Sequence, residues 1–159
     1  MTREQTITVT VNAVRHAITV PTSMTLLEMV RSRLGLTGSK ECCSVGECGA
    51  CTMILGDEPV NSCLILAVEA DGTSVITIEG IGAAGMSPLQ KSFVEAGAVQ
   101  CGFCIPGMVV AATALLERVA DPTLDEVQEA LSGNLCRCGG YSRICSAVQR
   151  AATPEATDV

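Results

Sequence analysis

Lys40-Glu41-Cys42-Cys43-Ser44-Val45-Gly46-Glu47-Cys48-Gly49-Ala50-Cys51 is the stretch on which the reading of this chain turns. Cys43, Cys48 and Cys51 stand in a C-x4-C-x2-C spacing, and Cys63 follows after eleven residues. This is the plant-type spacing of a 2Fe–2S cluster, with three thiolates from one loop and a fourth from a neighbouring element. Gly46 and Gly49 lie between the ligands, where the backbone must turn tightly and aim N–H groups at sulfur. Four thiolates also make a structural zinc site. The x4 gap and the crowded glycines favour iron–sulfur.

A second set lies downstream. Cys101-Gly102-Phe103-Cys104 is followed 31 residues later by Cys136-Arg137-Cys138. A lone C-x-x-C suits a thioredoxin-like redox pair, but no βαβ pattern surrounds this one. Zinc ribbons use two C-x2-C pairs, which the C-x-C fits poorly. Each pair borders a helix, before Pro106 and before Tyr141, so helix N-termini are expected to help stabilise the thiolates.

Composition narrows the remaining classes. The chain has 159 residues, ten of them cysteine and one histidine, His16. One imidazole cannot make a Rieske centre or a Cys2His2 finger. His16 lies in a strand-like segment and reads as an ordinary surface residue. A net charge of −7 lacks the basic footprint of a nucleic-acid binder. The N-terminal stretch shows no apolar secretory signal. The cysteines are therefore expected to be metal ligands in a cytoplasmic protein rather than a disulfide framework. Ala96–Leu116 is uncharged and long enough to span a bilayer, but Gln100, the two cysteines and Pro106-Gly107 interrupt it. Buried core, with no membrane insertion, is the expectation.

The flanking segments predict an α+β first half. Thr6–Val11 alternates as a half-buried strand, with Ala17–Val20 as its hairpin partner across Asn12–His16. Thr25 and Glu28 form a capping-box pattern that opens a helix bearing Leu27, Val30 and Leu34, closed at Gly35. Thr52–Leu55, Pro59–Asn61 and Ser74–Ile78 complete the strands, and Cys63–Val68 is an apolar run. Four short helices follow, suggesting a small bundle. They open at Ser87-Pro88, at Pro106-Gly107, at Thr123 with Glu126, and at Tyr141. The helix through Met108–Val119 is apolar almost all round and should be buried on more than one side. The tail from Thr153 reads as polar and frayed. Each half is small enough that a metal site would supply stability its core lacks.

Gly80-Ile81-Gly82-Ala83-Ala84-Gly85 matches a dinucleotide fingerprint, but the helix signal falls after the third glycine and no acid follows at the needed distance. A linker is the expected role.

Both motif sets together resemble the small iron–sulfur subunit of the molybdenum hydroxylases, the xanthine dehydrogenase and aldehyde oxidoreductase family. The resemblance is carried by Glu47–Thr52, Val60–Cys63, Val99–Met108 and Gly133–Tyr141 and covers about residues 4–152. It implies a ferredoxin-like β-grasp domain over residues 1–79, a linker at 80–86 and a four-helix domain over 87–159, each domain holding one 2Fe–2S cluster. It implies that Cys43, Cys48, Cys51 and Cys63 ligate one cluster and Cys101, Cys104, Cys136 and Cys138 the other, with Gln100 and Cys138 against a pterin. Electrons would pass from a molybdopterin centre on a large subunit, through both clusters, to FAD on a medium subunit, in a heterotrimer or its dimer. The reaction implied is hydroxylation of an N-heterocycle or aldehyde. Aldehyde oxidoreductase and hydroxybenzoyl-CoA reductase complexes are alternatives within the family; a free ferredoxin and a zinc assembly module are alternatives outside it. This sequence departs from the family at Cys42, where Gly is usual, and at Gly139, where Thr is usual. Cys42 and Cys145 are left over and read as small buried hydrophobes.

Overall fold

The structure is a computed structural model that describes residues 3–152. The tail from Thr153 lies outside them. The strands are β1 (Glu4–Val11), β2 (Val14–Pro21), β3 (Thr52–Leu55), β4 (Glu58–Asn61) and β5 (Ser74–Ile76). The helices are α1 (Leu26–Ser32), α2 (Ile78–Ile81), α3 (Pro88–Glu95), α4 (Ile105–Arg118), α5 (Leu124–Leu131) and α6 (Tyr141–Ala152), with a 3-10 turn at Ala67–Ala70. The strands form one mixed sheet in the order β2-β1-β5-β3-β4, with β1 and β5 parallel.

The alternation in β1 puts Ile7, Val9 and Val11 on the buried face, where Leu26, Leu27, Met29 and Val30 of α1 join them in one core. The hairpin is tighter than the sequence suggests. Asn12 and Ala13 both take positive φ, 50° and 66°, the two-residue turn whose twist matches its strands. β2 therefore begins at Val14, and His16 sits half-buried within it opposite Val9. At α1 the Thr25 Oγ1 accepts the Glu28 N–H at 3.1 Å, so one half of the expected reciprocal cap forms. Beyond it Gly35 takes φ 72° and the Leu36 N–H returns to the Val30 carbonyl.

β5 stops at Ile76, two residues before the predicted end. The Thr77 N–H and hydroxyl are both engaged by the Asn12 side chain, and the chain turns into α2. Gly80 of the supposed fingerprint lies inside α2, and a Cβ there would stand 2.2 Å from Asn12 Oδ1. It is a close-packing glycine in a helical turn.

The four long helices open where the sequence predicts, within a residue or two. Ser87 and Gln90 cap α3 reciprocally, and Thr123 and Glu126 cap α5 the same way. α3 lies against α6, where the buried Ser92 hydroxyl donates to the Ala147 carbonyl at 2.7 Å, and α5 lies against α4 and α6. α4 is buried on two sides, as its composition requires. Met108, Val109 and Ala112 enter the helical core, while Val110 and Ala114 pack with Ile54 of β3 and with Ile76, Ile78 and Ile81. That third cluster joins sheet and helices. No helix among the described residues is long and apolar enough to cross a membrane.

Candidate metal centres

The 40–51 loop leaves the helix–sheet core at both ends and is held there by its own polar groups. The Arg31 guanidinium donates to the Thr37 and Ser39 carbonyls, and the Glu79 carboxylate accepts the Gly38 N–H at 2.7 Å. The Lys40 N–H closes the loop onto the Ala50 carbonyl. Inside it the chain turns through positive φ at Ser44 (54°), Gly46 (80°) and Gly49 (65°). Cys42 is not among these positions, so the turn does not depend on a glycine there.

These turns bring N–H groups onto sulfur. The Cys43 thiol is lowered to about 6, first by the Val45 N–H, then by the Cys48 thiol and the Cys48 and Glu47 N–H groups. Cys51 goes the other way, pushed up to about 11 mainly by burial, with the Cys63 thiol beside it. The four predicted ligands thus form an outer pair, Cys43 with Cys48, and an inner pair, the buried Cys51 with the buried Cys63.

The second set repeats this two-by-two arrangement. Cys101 shares a hydrogen bond with Cys138, and both are exposed. Cys104 shares one with the buried Cys136. Burial is the first cause that raises Cys104 to about 12. Burial also opposes the Cys136 thiolate, but the Gly140 N–H, the Cys104 thiol and the Cys138 and Gly139 N–H groups outweigh it and lower that thiol. The Phe103 N–H is the first cause that lowers Cys101. Amides of the segments leading into α4 and α6 thus contribute hydrogen bonds that favour the thiolates beside those helix ends. Gly139, at φ 72°, supplies one of the tight turns.

Pairing decides the kind of metal group the residues suit. A structural zinc needs four donors around one centre. A 2Fe–2S cluster needs two donors at each of two irons, which is how both cysteine sets are arranged. The donors present fit that cluster.

The two sets touch. The Leu135 N–H donates to the Cys48 carbonyl at 2.9 Å, so a main-chain hydrogen bond joins a ligand position of one set to the neighbour of Cys136 in the other. Beside it the buried Asn134 donates its Nδ2 to the Gly49 carbonyl at 2.9 Å and to Thr52 Oγ1 at 3.1 Å. Gly107 of α4 completes the seam, since a Cβ there would stand 2.3 Å from the Gly49 carbonyl oxygen. The Tyr141 hydroxyl accepts the Cys136 N–H at 2.8 Å. The spacing of cysteines does not disclose Asn134, Thr52 or Gly107 as site residues, because their roles depend on two distant segments meeting. Gln100 is exposed beside Cys101, its amide 3.8 Å from where a Gly140 Cβ would stand.

Residues 77–149 match the 2Fe-2S binding domain family. The chain is 49% identical to the nicotinate dehydrogenase small FeS subunit of Eubacterium barkeri over 92% of its own length and 94% of that protein. It belongs to the small iron–sulfur subunits of the molybdenum hydroxylases. Among solved structures of that family, quinoline 2-oxidoreductase from Pseudomonas putida 86 superposes with a TM-score of 0.90 at 41% identity, covering 94% of this chain and 93% of the other. Aldehyde oxidoreductase from Desulfovibrio gigas superposes at 0.89 with 40% identity, covering 93% of this chain but 17% of that longer one. The α+β architecture is thus that of the molybdenum hydroxylase small subunits, and its relatives are subunits or parts of oxidoreductases.

The leftover cysteines part company here. Cys145 is buried on α6, as expected of a small hydrophobe. Cys42 is exposed, contrary to that expectation, and its thiol lies against Cys48.

Proposed function

We propose that this chain is the electron-transfer subunit of a multi-subunit molybdenum hydroxylase acting on an N-heterocycle. Cys43, Cys48, Cys51 and Cys63 would hold one 2Fe–2S cluster, and Cys101, Cys104, Cys136 and Cys138 the other. Bound there, each cluster supplies reversible one-electron transfer. Everything else is work for the chain itself: holding thiolates with amide groups, excluding water from the inner pairs, and fixing one site against the other.

The observation that carries this reading is the seam. A carrier with two independent clusters has no need to bond the Cys48 carbonyl to the Leu135 amide and brace the joint with a buried asparagine. A relay does. The exposed Cys101–Cys138 pair, with Gln100 beside it, is the edge we assign to a molybdopterin on a large partner subunit. The Cys43 side of the other site is then the edge toward FAD on a medium subunit, in a heterotrimer or its dimer. Within the described residues, 3–79 would make the ferredoxin-like β-grasp unit, 80–86 the connection and 87–152 a four-helix bundle. Exposed Met86, Val94, Val99, Phe103, Leu124 and Leu135 give the helical half the apolar surface of a subunit, which a freely diffusing ferredoxin would not carry. The N-heterocycle is favoured over an aldehyde by the nicotinate- and quinoline-acting relatives. The complex is placed in the cytoplasm.

The test is to purify the tagged full chain from its native cells and assay what comes with it. Co-purifying chains that carry molybdenum and FAD, with visible bleaching on addition of nicotinate or a related heterocycle, are the expected result. A chain that elutes alone, loaded with iron and reduced by general electron donors, would contradict it.

A further inference from the structure

We infer that Asn61 is a positioning residue of the first cluster site, orienting a main-chain amide onto the Cys43 sulfur and so setting that site's affinity for an electron. The inference rests on the cluster reading above and deepens it. Asn61 ends β4 and pairs with Thr52, the residue after Cys51. From there three consecutive residues turn on one ligand position. The Cys51 Sγ lies 4.0 Å from Asn61 Oδ1, the buried Ser62 hydroxyl donates to the Cys51 carbonyl at 2.6 Å, and the Cys63 thiol stands beside that of Cys51. Asn61 also reaches across the loop, where its Nδ2 donates to the Gly46 carbonyl at 2.9 Å. That bond acts on the far side of the peptide. The Gly46 carbonyl and the Glu47 N–H belong to one planar trans peptide and point in opposite directions. Holding the carbonyl toward β4 therefore turns the Glu47 N–H away from it, into the loop, where it meets the Cys43 sulfur. Gly46 has no side chain with which to hold this peptide, and it can have none: φ is 80°, and a Cβ there would collide with Leu64. The anchor has to come from Asn61. The Cys51 thiol proton is lost when that sulfur ligates iron, but the Gly46 bond does not depend on it.

Hydrogen bonds to ligand sulfur favour the more negative, reduced state and raise the reduction potential. An apolar side chain at position 61 frees the Gly46–Glu47 peptide and removes that help. The test uses the full chain purified anaerobically, as wild type, Asn61→Ala and Asn61→Leu, with each electron paramagnetic resonance signal followed through a redox titration. The first site's signal is the one that Cys51→Ser abolishes. Both variants should keep about four irons per chain and both signals. The first site's signal should titrate at a potential lower by about 59 mV, a tenfold shift in a one-electron equilibrium. The second signal should not move, which sets the effect apart from a general loosening. An unmoved first signal in variants that hold both clusters, or equal movement of both signals, overturns the inference and leaves the cluster reading intact. Absence of iron from the wild type overturns both. If neither variant loads the first site, a measurement on the wild type decides. With the chain labelled with nitrogen-15 at glutamate, pulsed paramagnetic resonance on the first signal should detect coupling to one amide nitrogen, that of Glu47, and no such coupling overturns the inference.

Discussion

The two cysteine sites reach one arrangement from opposite kinds of secondary structure. In the first, the loop between α1 and β3 supplies three thiols, and the fourth follows β4. In the second, one pair precedes α4 and the other precedes α6, so no single segment contains the site. Yet each resolves into an inner pair near the core and an outer pair near solvent. A long loop can aim sulfur by its own turns, and a helical layer has to do so by packing. The loop site therefore brings its thiols together by its own turns, whereas the helical site uses loop amides as well but needs the packing of α4 and α6 to bring its two pairs together.

The largest effects should come from the inner pairs. Cys51→Ser and Cys104→Ser should each remove one cluster, visible as loss of one paramagnetic signal and half the iron. Because metal binding is folding free energy where the site is not preformed, each should also cost several kcal/mol. The comparison predicts an asymmetry: losing the helical site should loosen α4 and α6 together, whereas losing the loop site should leave the helical core intact. Hydrogen exchange on α3–α6 reads the difference. Equal protection loss in both variants would break the comparison.

The seam comes next. Asn134→Ala strips two hydrogen bonds from a buried junction and should cost about 1–3 kcal/mol, while Gly107→Ala drives a methyl into the Gly49 carbonyl and should cost a similar amount, roughly 1–3 kcal/mol. Both should keep both clusters but weaken the magnetic interaction between them. Thermal melting with paramagnetic resonance on the reduced chain measures both effects. Unchanged melting in Asn134→Ala would mean the joint is not braced there.

A smaller effect tests the loop anchor. Glu79 is the carboxylate that ties Gly38 to the start of α2. Burial opposes its charge, but the Thr77 hydroxyl and the Gly38 N–H win and hold it below the usual carboxylate range. A depressed folded pKa means stability that is full above the unfolded value and is lost as pH falls through the folded one. Glu79→Gln should therefore lower melting at neutral pH and flatten the acid limb relative to wild type. Parallel curves would remove Glu79 from the anchor. Smallest of all, Thr123→Ala should cost about 1 kcal/mol by uncapping α5, with no change in either signal.

Much of this molecule was legible before folding. The cysteine spacings, the Ser87 and Thr123 caps and the all-apolar α4 are local signals, and local geometry honours them. What was not legible depends on distant segments meeting. Asn12 reads as a turn residue, and it is one, but its side chain also ends β5 by engaging Thr77. Gly107 reads as a helix opener, yet its lack of a side chain matters because Gly49 lies against it. Cys42 reads as a spare hydrophobe because nothing in its neighbours along the chain shows that Cys48 comes back to face it.

The relay stands or falls on two clusters in one chain. Iron and acid-labile sulfide should be counted on the anaerobically purified chain, with a low-temperature paramagnetic resonance spectrum after dithionite reduction. The account predicts about four irons, about four sulfides and two distinct 2Fe–2S signals that broaden one another across the seam. Zinc in place of iron, or a fully folded chain with a single signal and half the iron, would contradict it.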